Sequence, residues 1–577
     1  MTEKPEISFM RSLCLGEIIE DIVFPFPKMK DEEKATLAQL RDSFATWLKG
    51  RDADFRKWDV AGELPPEFIQ EMREFGLFSL VIPEAYGGLG FSSTAYSRTL
   101  QELVQYDPSV TITAGAHSSI GMRGLLLYGT EAQKQRFFPK LATGEIIAAF
   151  CLTEPGAGSD AAAIKTHAEK QGDDWILNGE KIWITNGGIA DFFTVFARTD
   201  GKQGHVTAFI VTRDMPGVTT SPHEDKMGIR ASSTTSVRFD NVKVGKDNIL
   251  GEVGKGFKVA MRILNSGRTG LGGGCVGMMK KAIGLATKQA KERRQFGRPI
   301  ADYGLIKQKI GHMVVECYAS ESVVNMVAGI IDRGSEDYAV EAAISKVFSS
   351  EALWRTSDEA LQIAGGVGYM REYPYERMMR DSRINRIFEG TNEILRLFIA
   401  LTAMNDVGHQ LKEMAKVLGN VLVDPIKGFG VLSDYAKRRV GYATGYGRTE
   451  MTKPHADLKA FTNVFEECTR NLAAAVDRIL RKHGKEIVEK QFATRRLADI
   501  MIDLFALACV ISRVSGAIEE KGQEAAAKEV EILEVFCGQV ARRVRGNFGK
   551  IDDNDDELIK SLADHACAEE RFVWDNL

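Results

Sequence analysis

Arg386-Ile-Phe-Glu-Gly-Thr-Asn-Glu-Ile-Leu-Arg396 is the stretch on which the reading of this chain turns. One carboxylate, Glu389, stands between Phe388 and Gly390. Thr391 follows, and Ile394, Leu395 and Phe398 recur behind it at helical spacing. The pattern predicts a turn closed by Thr391 as N-cap, then a helix over 392–403. An acid pressed against apolar neighbours loses hydration, so its pKa rises toward the range where it accepts a proton usefully. Gly390 lets a substrate approach the backbone closely. The same residues also describe an ordinary acid at a helix start, where the dipole stabilises it.

The 577 residues exceed one core and imply three or four domains. A hydrophobic fraction of 44% and a charged fraction of 27% are those of a globular protein, and a net charge of -4 gives no reason to expect nucleic acid. Eight cysteines lie scattered without a CxxC pair or zinc spacing, so no metal site is expected. No apolar run reaches the ~18 residues of a spanning helix. Glu3, Glu6, Glu17, Glu20 and Asp21 make the N-terminus too acidic for a mitochondrial transit peptide. A bacterial cytoplasmic location is expected, peripheral to the inner membrane if the chain touches lipid; the alternative is the mitochondrial matrix for a processed eukaryotic chain.

Residues 1–34 read as an extended arm, because Pro25 and Pro27 exclude helix around Val23-Phe-Pro-Phe-Pro27. Leu37, Leu40, Phe44 and Trp47 open a helical domain over 35–147. Within it, Ala114-Gly-Ala116 either packs helices together or leaves room for an acyl chain. From 148 to 255 the period changes to short β-rich runs divided by Gly, Asn and Asp. Helical periodicity returns over 256–403, near 257–290, 301–332, 336–365 and 392–403. Residues 404–455 form a glycine-rich linker; the part over 418–447, with Lys427 and Lys437-Arg-Arg439, is either a membrane-surface segment or a flexible connection. Amphipathic helices near 457–483, 491–520 and 526–549 make a further helical domain over 456–577. The fold class is mainly α with a central β domain.

Further motifs are weak singly. Thr153-Glu-Pro-Gly-Ala-Gly-Ser-Asp160 is a glycine loop whose N–H groups suit an anion, or simply a turn. Trp183 is a candidate stacking ring or ordinary core. No GxGxxG follows an N-terminal strand, so a nicotinamide cofactor is not expected.

Taken together, five segments in this order resemble the acyl-CoA dehydrogenase family: Cys151-Leu-Thr-Glu-Pro-Gly-Ala-Gly-Ser-Asp160, Trp183-Ile-Thr-Asn-Gly-Gly188, Arg293-Arg-Gln-Phe-Gly297, Gln362-Ile-Ala-Gly-Gly366 and Arg386-Ile-Phe-Glu-Gly-Thr-Asn392. The resemblance spans roughly residues 35–402, and the C-terminal part resembles the very-long-chain branch. It implies an N-terminal α-bundle, a middle β-barrel, a C-terminal α-bundle and one extra helical domain. It implies FAD, touched by Phe150, Cys151, Leu152, Thr153, Ser159, Trp183, Ile184, Thr185, Arg293, Gln295 and Phe296. Gln362, Ile363, Ala364, Gly365 and Gly366 meet the FAD of a neighbouring subunit, and Thr391, Asn392 and Glu393 touch FAD again. Gln491 matches a FAD-contacting glutamine of the very-long-chain branch, or is a solvent-facing glutamine at a helix start. A glutamine that medium-chain members use on FAD is Gly304 here, so that contact is absent or replaced.

Substrate contacts implied in the same way are Ser159, Asn265, Ser266, Gly267, Arg268, Phe388 and Gly390. Some branches place their catalytic glutamate where this chain has Gly267, which leaves Glu389 as the base. The implied reaction is α,β-dehydrogenation of a fatty acyl-CoA, of long chain, to a trans-2-enoyl-CoA in fatty acid β-oxidation, with electrons passed to electron-transferring flavoprotein and a homodimer as the assembly. Alternatives are an acyl-CoA oxidase, an assembly factor on the same fold and, against the retained glutamate, a nitro-group flavoenzyme.

Overall fold

The computed structural model describes residues 7–199, 205–419 and 450–575. Phe26–Ile394 forms one compact unit; the residues up to Pro25 and from Leu395 onward form a second.

The second unit contains the first helix, α1 (Phe9–Cys14), capped by the Ser8 hydroxyl on Arg11 N–H. This corrects the expectation of an extended arm. The two prolines act only from Pro25, so the preceding residues are free to turn. Phe9, Met10, Leu13 and Cys14 are buried, and Phe9 stacks on Phe465 at 6.3 Å between ring centroids.

The larger unit begins with α2 (Asp31–Leu48), α3 (Asp52–Ala61), α4 (Pro66–Glu74), α5 (Ser93–Leu103), α6 (Pro108–Ala116), α7 (Arg123–Tyr128) and α8 (Glu131–Thr143). Asp107 starts α6 by accepting from Ser109 N and Val110 N at 2.8 and 3.0 Å, with Pro108 at the first helical position. Thr130 and Gln133 close a capping box on α8. Phe44, Phe55, Phe68 and Phe78 build the core beneath these helices.

Eight strands follow: β1 (Ala148–Cys151), β2 (His167–Gln171), β3 (Asp174–Thr185), β4 (Phe192–Arg198), β5 (Val206–Thr212), β6 (Val218–Thr220), β7 (Thr234–Gly245) and β8 (Ile249–Leu250). They form one sheet in the order β6-β7-β3-β2-β4-β5-β8, with β1 parallel to β4 off that path. This single curved run of strands is the middle β domain expected; among the described residues β6 and β8, at its two ends, do not pair with each other. The runs around Trp175 and Ile182 are one strand. Register shifts between Leu177 and Gly179 and between Lys181 and Ile184 interrupt the alternation that would have shown their continuity.

Helices α9 (Gly256–Glu292), α10 (Gly304–Asp332) and α11 (Ala339–Ala364) pack as long neighbours. Between α9 and α10 lies the hairpin of β9 (Arg294–Gln295) and β10 (Arg298–Pro299). Short helices α12 (Gly366–Tyr369) and α13 (Pro374–Arg383) lead to α14 (Asn392–Ala403). Glycines let α9 approach α5 closely: a Cβ on Gly277 would stand 2.3 Å from the Gln101 carbonyl oxygen. Helix α10 is long and apolar enough to cross a membrane, but 67% of its apolar window is buried within the protein, as in a core helix.

The second unit resumes with α15 (Asn405–Gly419), so the expected linker begins as helix. It continues with α16 (Lys459–His483), α17 (Gln491–Lys521), α18 (Ala527–Asp552) and α19 (Asp556–Glu569). The last was not anticipated, because Asp555, Asp556 and Glu557 mask its apolar Leu558, Ile559 and Leu562, all exposed. Most of 418–447, with its membrane-surface reading, lies outside the described residues.

Candidate active site

Glu389 adopts φ +56° and Gly390 φ +93°, so the turn carries a glutamate in the left-handed region that glycine normally takes. Such a conformation costs free energy and persists only where neighbours enforce it. Those neighbours are visible. Arg268 on α9 donates from Nε to the Glu389 carbonyl at 3.3 Å and from Nη1 to Asn265 Oδ1 at 2.7 Å. Lys346 on α11 donates from Nζ to the Gly390 carbonyl and to Asn392 Oδ1, both at 2.8 Å. The Asn392 amide donates in turn to Ser350 Oγ and Glu351 Oε1. Thr391 Oγ1 accepts from Ile394 N at 3.3 Å and starts α14, as the sequence predicts.

The turn places Glu389 on the wall of an apolar cavity. Leu100, Val104, Pro108, Thr111, Ile112, Gly115, Gly267, Gly270, Leu271, Gly274, Met278 and Phe388 are among its walls. Oε2 has no exposed surface and no hydrogen-bond partner. Burial raises the Glu389 pKa to about 7, against the opposing pull of Arg268 and Lys346. A Cβ on Gly267 would lie 2.9 Å from both carboxylate oxygens. The two base positions weighed in the sequence therefore converge on one point in space.

A second carboxyl on this cavity was not singled out from sequence. Burial also raises Asp381 to about 7, opposed by Arg377. Its Oδ1 accepts from Ile229 N at 2.5 Å, so it anchors a loop of the β region, whereas Glu389 Oε2 is unengaged. Of these two carboxyls, Glu389 is the one with a buried oxygen that accepts no hydrogen bond.

Lys346 was likewise missed: a lysine inside a helical run of Ala, Val and Ser carries no local signal. Its ammonium is buried, its own pKa is lowered to about 8, and its charge favours ionised Glu389. Lys346→Met is expected to raise the Glu389 pKa by about one unit, as removal of a nearby partly buried unit charge does. The pH limb of kcat/KM then moves alkaline by that amount, which a pH–rate profile measures.

The second part of the site lies on the β region. Trp183 sits at φ +57° in the bulge of β3 and is 63% exposed, while Ile184 beside it is buried. A bulky residue in that conformation, presented outward, is a built aromatic platform and not core. Thr153, Thr185 and Phe150 are part-buried, and Gly156, Gly158 and Ser159 are exposed. A Cβ on Gly156 or Gly158 would meet nothing within 4 Å. An exposed ring, two hydroxyls and an open glycine loop suit a planar, hydrogen-bonding heteroaromatic such as a flavin.

Glu154, also missed, pins this loop. Its carboxylate accepts from Lys181 Nζ at 2.8 Å, Lys165 N at 2.5 Å and Thr166 N at 3.0 Å, and Lys181 also donates to the Leu152 carbonyl. Burial pushes the Glu154 carboxyl up, but Lys181 and the backbone donors outweigh it and hold it below the usual range. In the Trp183–Gly188 motif, Asn186 Nδ2 reaches Thr113 O on α6 at 2.9 Å, and Arg213 holds the Gly187 and Ala190 carbonyls. The motif's Asn-Gly pair thus braces the turn.

The expected cofactor contacts divide. The side chains of Cys151 and Ile184 face the sheet core. Leu152, Ile363 and Ala364 are also buried in hydrophobic clusters. The Asn392 amide is committed to Lys346, Ser350 and Glu351. These six can meet a cofactor only through backbone, because alternation or the turn points their side chains inward. Arg293, Gln295 and Phe296 lie on the exposed β9–β10 hairpin, and Gln362, Gly365 and Gly366 at the exposed end of α11. Phe296 is 94% exposed, an unusual state for an apolar ring in an isolated chain. Glu393 and Gln491 are exposed; Asn265 and Ser266 are part-buried on α9.

A glutamate of raised pKa on the wall of a glycine-lined apolar cavity, and an outward aromatic platform on a β region, are the parts that a flavoprotein acting on acyl chains needs. Residues 34–145, 149–242 and 254–404 match the N-terminal, middle and C-terminal domains of acyl-CoA dehydrogenase, and 456–572 matches the ACAD9/ACADV C-terminal domain. The chain is 43% identical to the human mitochondrial very long-chain specific acyl-CoA dehydrogenase, over 95% of its own length and 84% of that protein. It is 34% identical to the probable acyl-CoA dehydrogenase FadE10 of Mycobacterium tuberculosis, over 99% and 90%. An acyl-CoA dehydrogenase from Bacillus anthracis complexed with FAD superposes with a TM-score of 0.80 at 34% identity, covering 96% and 94% of the two chains. This chain belongs to the acyl-CoA dehydrogenase family.

Proposed function

We propose that this protein is an FAD-dependent acyl-CoA dehydrogenase that converts a long-chain fatty acyl-CoA to the trans-2-enoyl-CoA, with Glu389 removing the α-proton. The observation that carries the reading is the Glu389 carboxyl on the wall of the apolar cavity, its pKa raised to about 7 and its Oε2 unpartnered. FAD supplies the acceptor for the β-hydride. Thr153, Ser159, Trp183 and Thr185 are the residues that would hold its ring side.

Glu389 works as a base only when ionised; its raised pKa makes it strong enough to take a proton from carbon while still ionised in half the molecules near pH 7. Its own N–H donates to no described residue and is free to polarise the thioester carbonyl where enolate charge develops. Arg268 and Lys346 fix the carbonyls of Glu389 and Gly390, and so fix the direction of that N–H. The apolar walls exclude water from the α-carbon and bind the chain by burial.

Gly115 supports the long-chain reading. It lines the cavity, and a Cβ there would meet only the Tyr96 hydroxyl, at 4.0 Å. Gly115→Gln is expected to fold, since it removes a glycine from a helix. It should lower kcat/KM for long acyl-CoAs by about tenfold or more while sparing short ones. A panel of acyl-CoAs, assayed on wild type and variant with electron-transferring flavoprotein, reads this; a wild-type preference for short chains would overturn the long-chain assignment. The same assay with oxygen as acceptor distinguishes a dehydrogenase from an oxidase.

The exposed Arg293, Gln295, Phe296, Gln362 and Gly365 support a homodimer in which one subunit completes the cofactor site of the other. The relatives include mitochondrial and mycobacterial proteins, so a matrix or bacterial cytoplasmic location is the proposal.

A further inference from the structure

A second cavity adjoins the apolar one, with Ser119 and Gly270 lining both. Its walls include Tyr96, Ser118, Arg123, Thr269 and Asp332. Arg123, on the first turn of α7, makes no hydrogen bond or ion pair with any described residue, and its Nε is buried. The Thr269 hydroxyl on α9 is buried and unpartnered as well. Asp332, which also lines the cavity, is the carboxylate whose charge acts on Arg123. Its oxygens already accept from Ser93 N at 2.7 Å, Thr94 N at 2.9 Å and Thr94 Oγ1 at 2.6 Å. Tyr96 and Tyr338, the other titratable groups that act on the guanidinium, are phenols whose pKa burial raises. A largely buried cation left without an anionic contact is costly, and a buried donor without an acceptor adds to that cost.

We propose that this cavity is a binding site for a small oxyanion, a phosphate or a carboxylate, which Arg123 pairs through its planar fork and Thr269 through its hydroxyl. The guanidinium matches the paired oxygens of either group. Glu389 lines the first cavity and Arg123 the second, and the two adjoin at Ser119 and Gly270.

Calorimetric titration and thermal unfolding of the FAD-loaded protein, without acyl-CoA, test it in two arms, inorganic phosphate and acetate, in a buffer free of other oxyanions. Wild type is expected to bind at least one of them saturably and to gain thermal stability; the arm that binds tighter names the source. Arg123→Met is expected to weaken binding by about tenfold or more, the equivalent of a charge-assisted hydrogen bond. It should also raise the Tm of the anion-free protein by removing an unpaired charge. Thr269→Val, which keeps shape, is expected to weaken binding several-fold and leave the anion-free Tm unchanged. Absence of saturable binding to wild type, or equal binding by wild type and both variants, overturns the proposal. The outcome does not depend on which acyl-CoA the enzyme oxidises.

Discussion

Glu389→Gln is expected to bind acyl-CoA and FAD yet lose turnover by about 10³-fold, within the range that a positioned general base contributes. Mixed anaerobically with acyl-CoA, the variant should leave the flavin oxidised, whereas wild type bleaches rapidly. Rapid bleaching by the variant would place the base elsewhere. The wild-type kcat/KM should rise with pH through about 7 and level off above, because the ionised carboxyl is the active form. Stability should move the opposite way. The folded pKa of Glu389 lies above the ordinary 4.5, so the folded state holds its proton more tightly than the unfolded chain. Stability is therefore lost as pH rises between about 4.5 and 7. Glu389→Gln removes that loss and should stabilise the protein by up to about 3 kcal/mol at pH 8, the equivalent of the shift. A variant that is dead but more thermostable is the signature of a base kept in place by its surroundings; a variant that is dead and less stable would mark a structural role.

The second large effect is expected at Glu154 and Lys181. Both side chains are nearly inaccessible, at 5% and 0% exposure. Lys181→Met leaves the Glu154 carboxylate buried against backbone donors alone, and loss of one partner of a buried pair costs about 3–5 kcal/mol. Replacing both, as Glu154→Leu with Lys181→Met, should recover most of that stability, since no charge remains uncompensated. It should not recover cofactor. Lys165 N, Thr166 N and the Leu152 carbonyl lose the partners that shape the loop on which Thr153 and Ser159 stand. Thermal unfolding and flavin content, measured on both variants, separate the two roles. Full retention of FAD by the double variant would show that the loop holds its shape without the pair.

Much of the site was legible because its chemistry is written in contiguous residues. Thr391 announces a helix start through a side chain acting on the next turn, and 392–403 is helical as predicted. The long amphipathic segments of α9, α10, α11, α16 and α17 show their period over many turns and were placed nearly to the residue. The residues that hold the site were not legible. Lys346, Lys181 and Glu154 are charged side chains inside apolar or mixed runs, and nothing in their immediate neighbours says that each is buried against a partner far along the chain. The same holds for the N-terminal arm, where prolines at 25 and 27 suggested an extended course that begins only after α1.

The sequence by itself determined the order of helical and β segments, the identity of the acid at position 389 and its membership in a recognisable set of motifs, since these depend on local periodicity and on neighbours in the chain. Only the tertiary structure decided the protonation behaviour of that acid. Desolvation, the ammonium of Lys346 and the guanidinium of Arg268 act through space from helices α11 and α9, and a pKa is set by what surrounds a group in three dimensions. The same is true of the second cavity: Arg123 reads as an ordinary surface arginine along the chain, and becomes an unpaired charge only when α5, α9 and the end of α10 close around it.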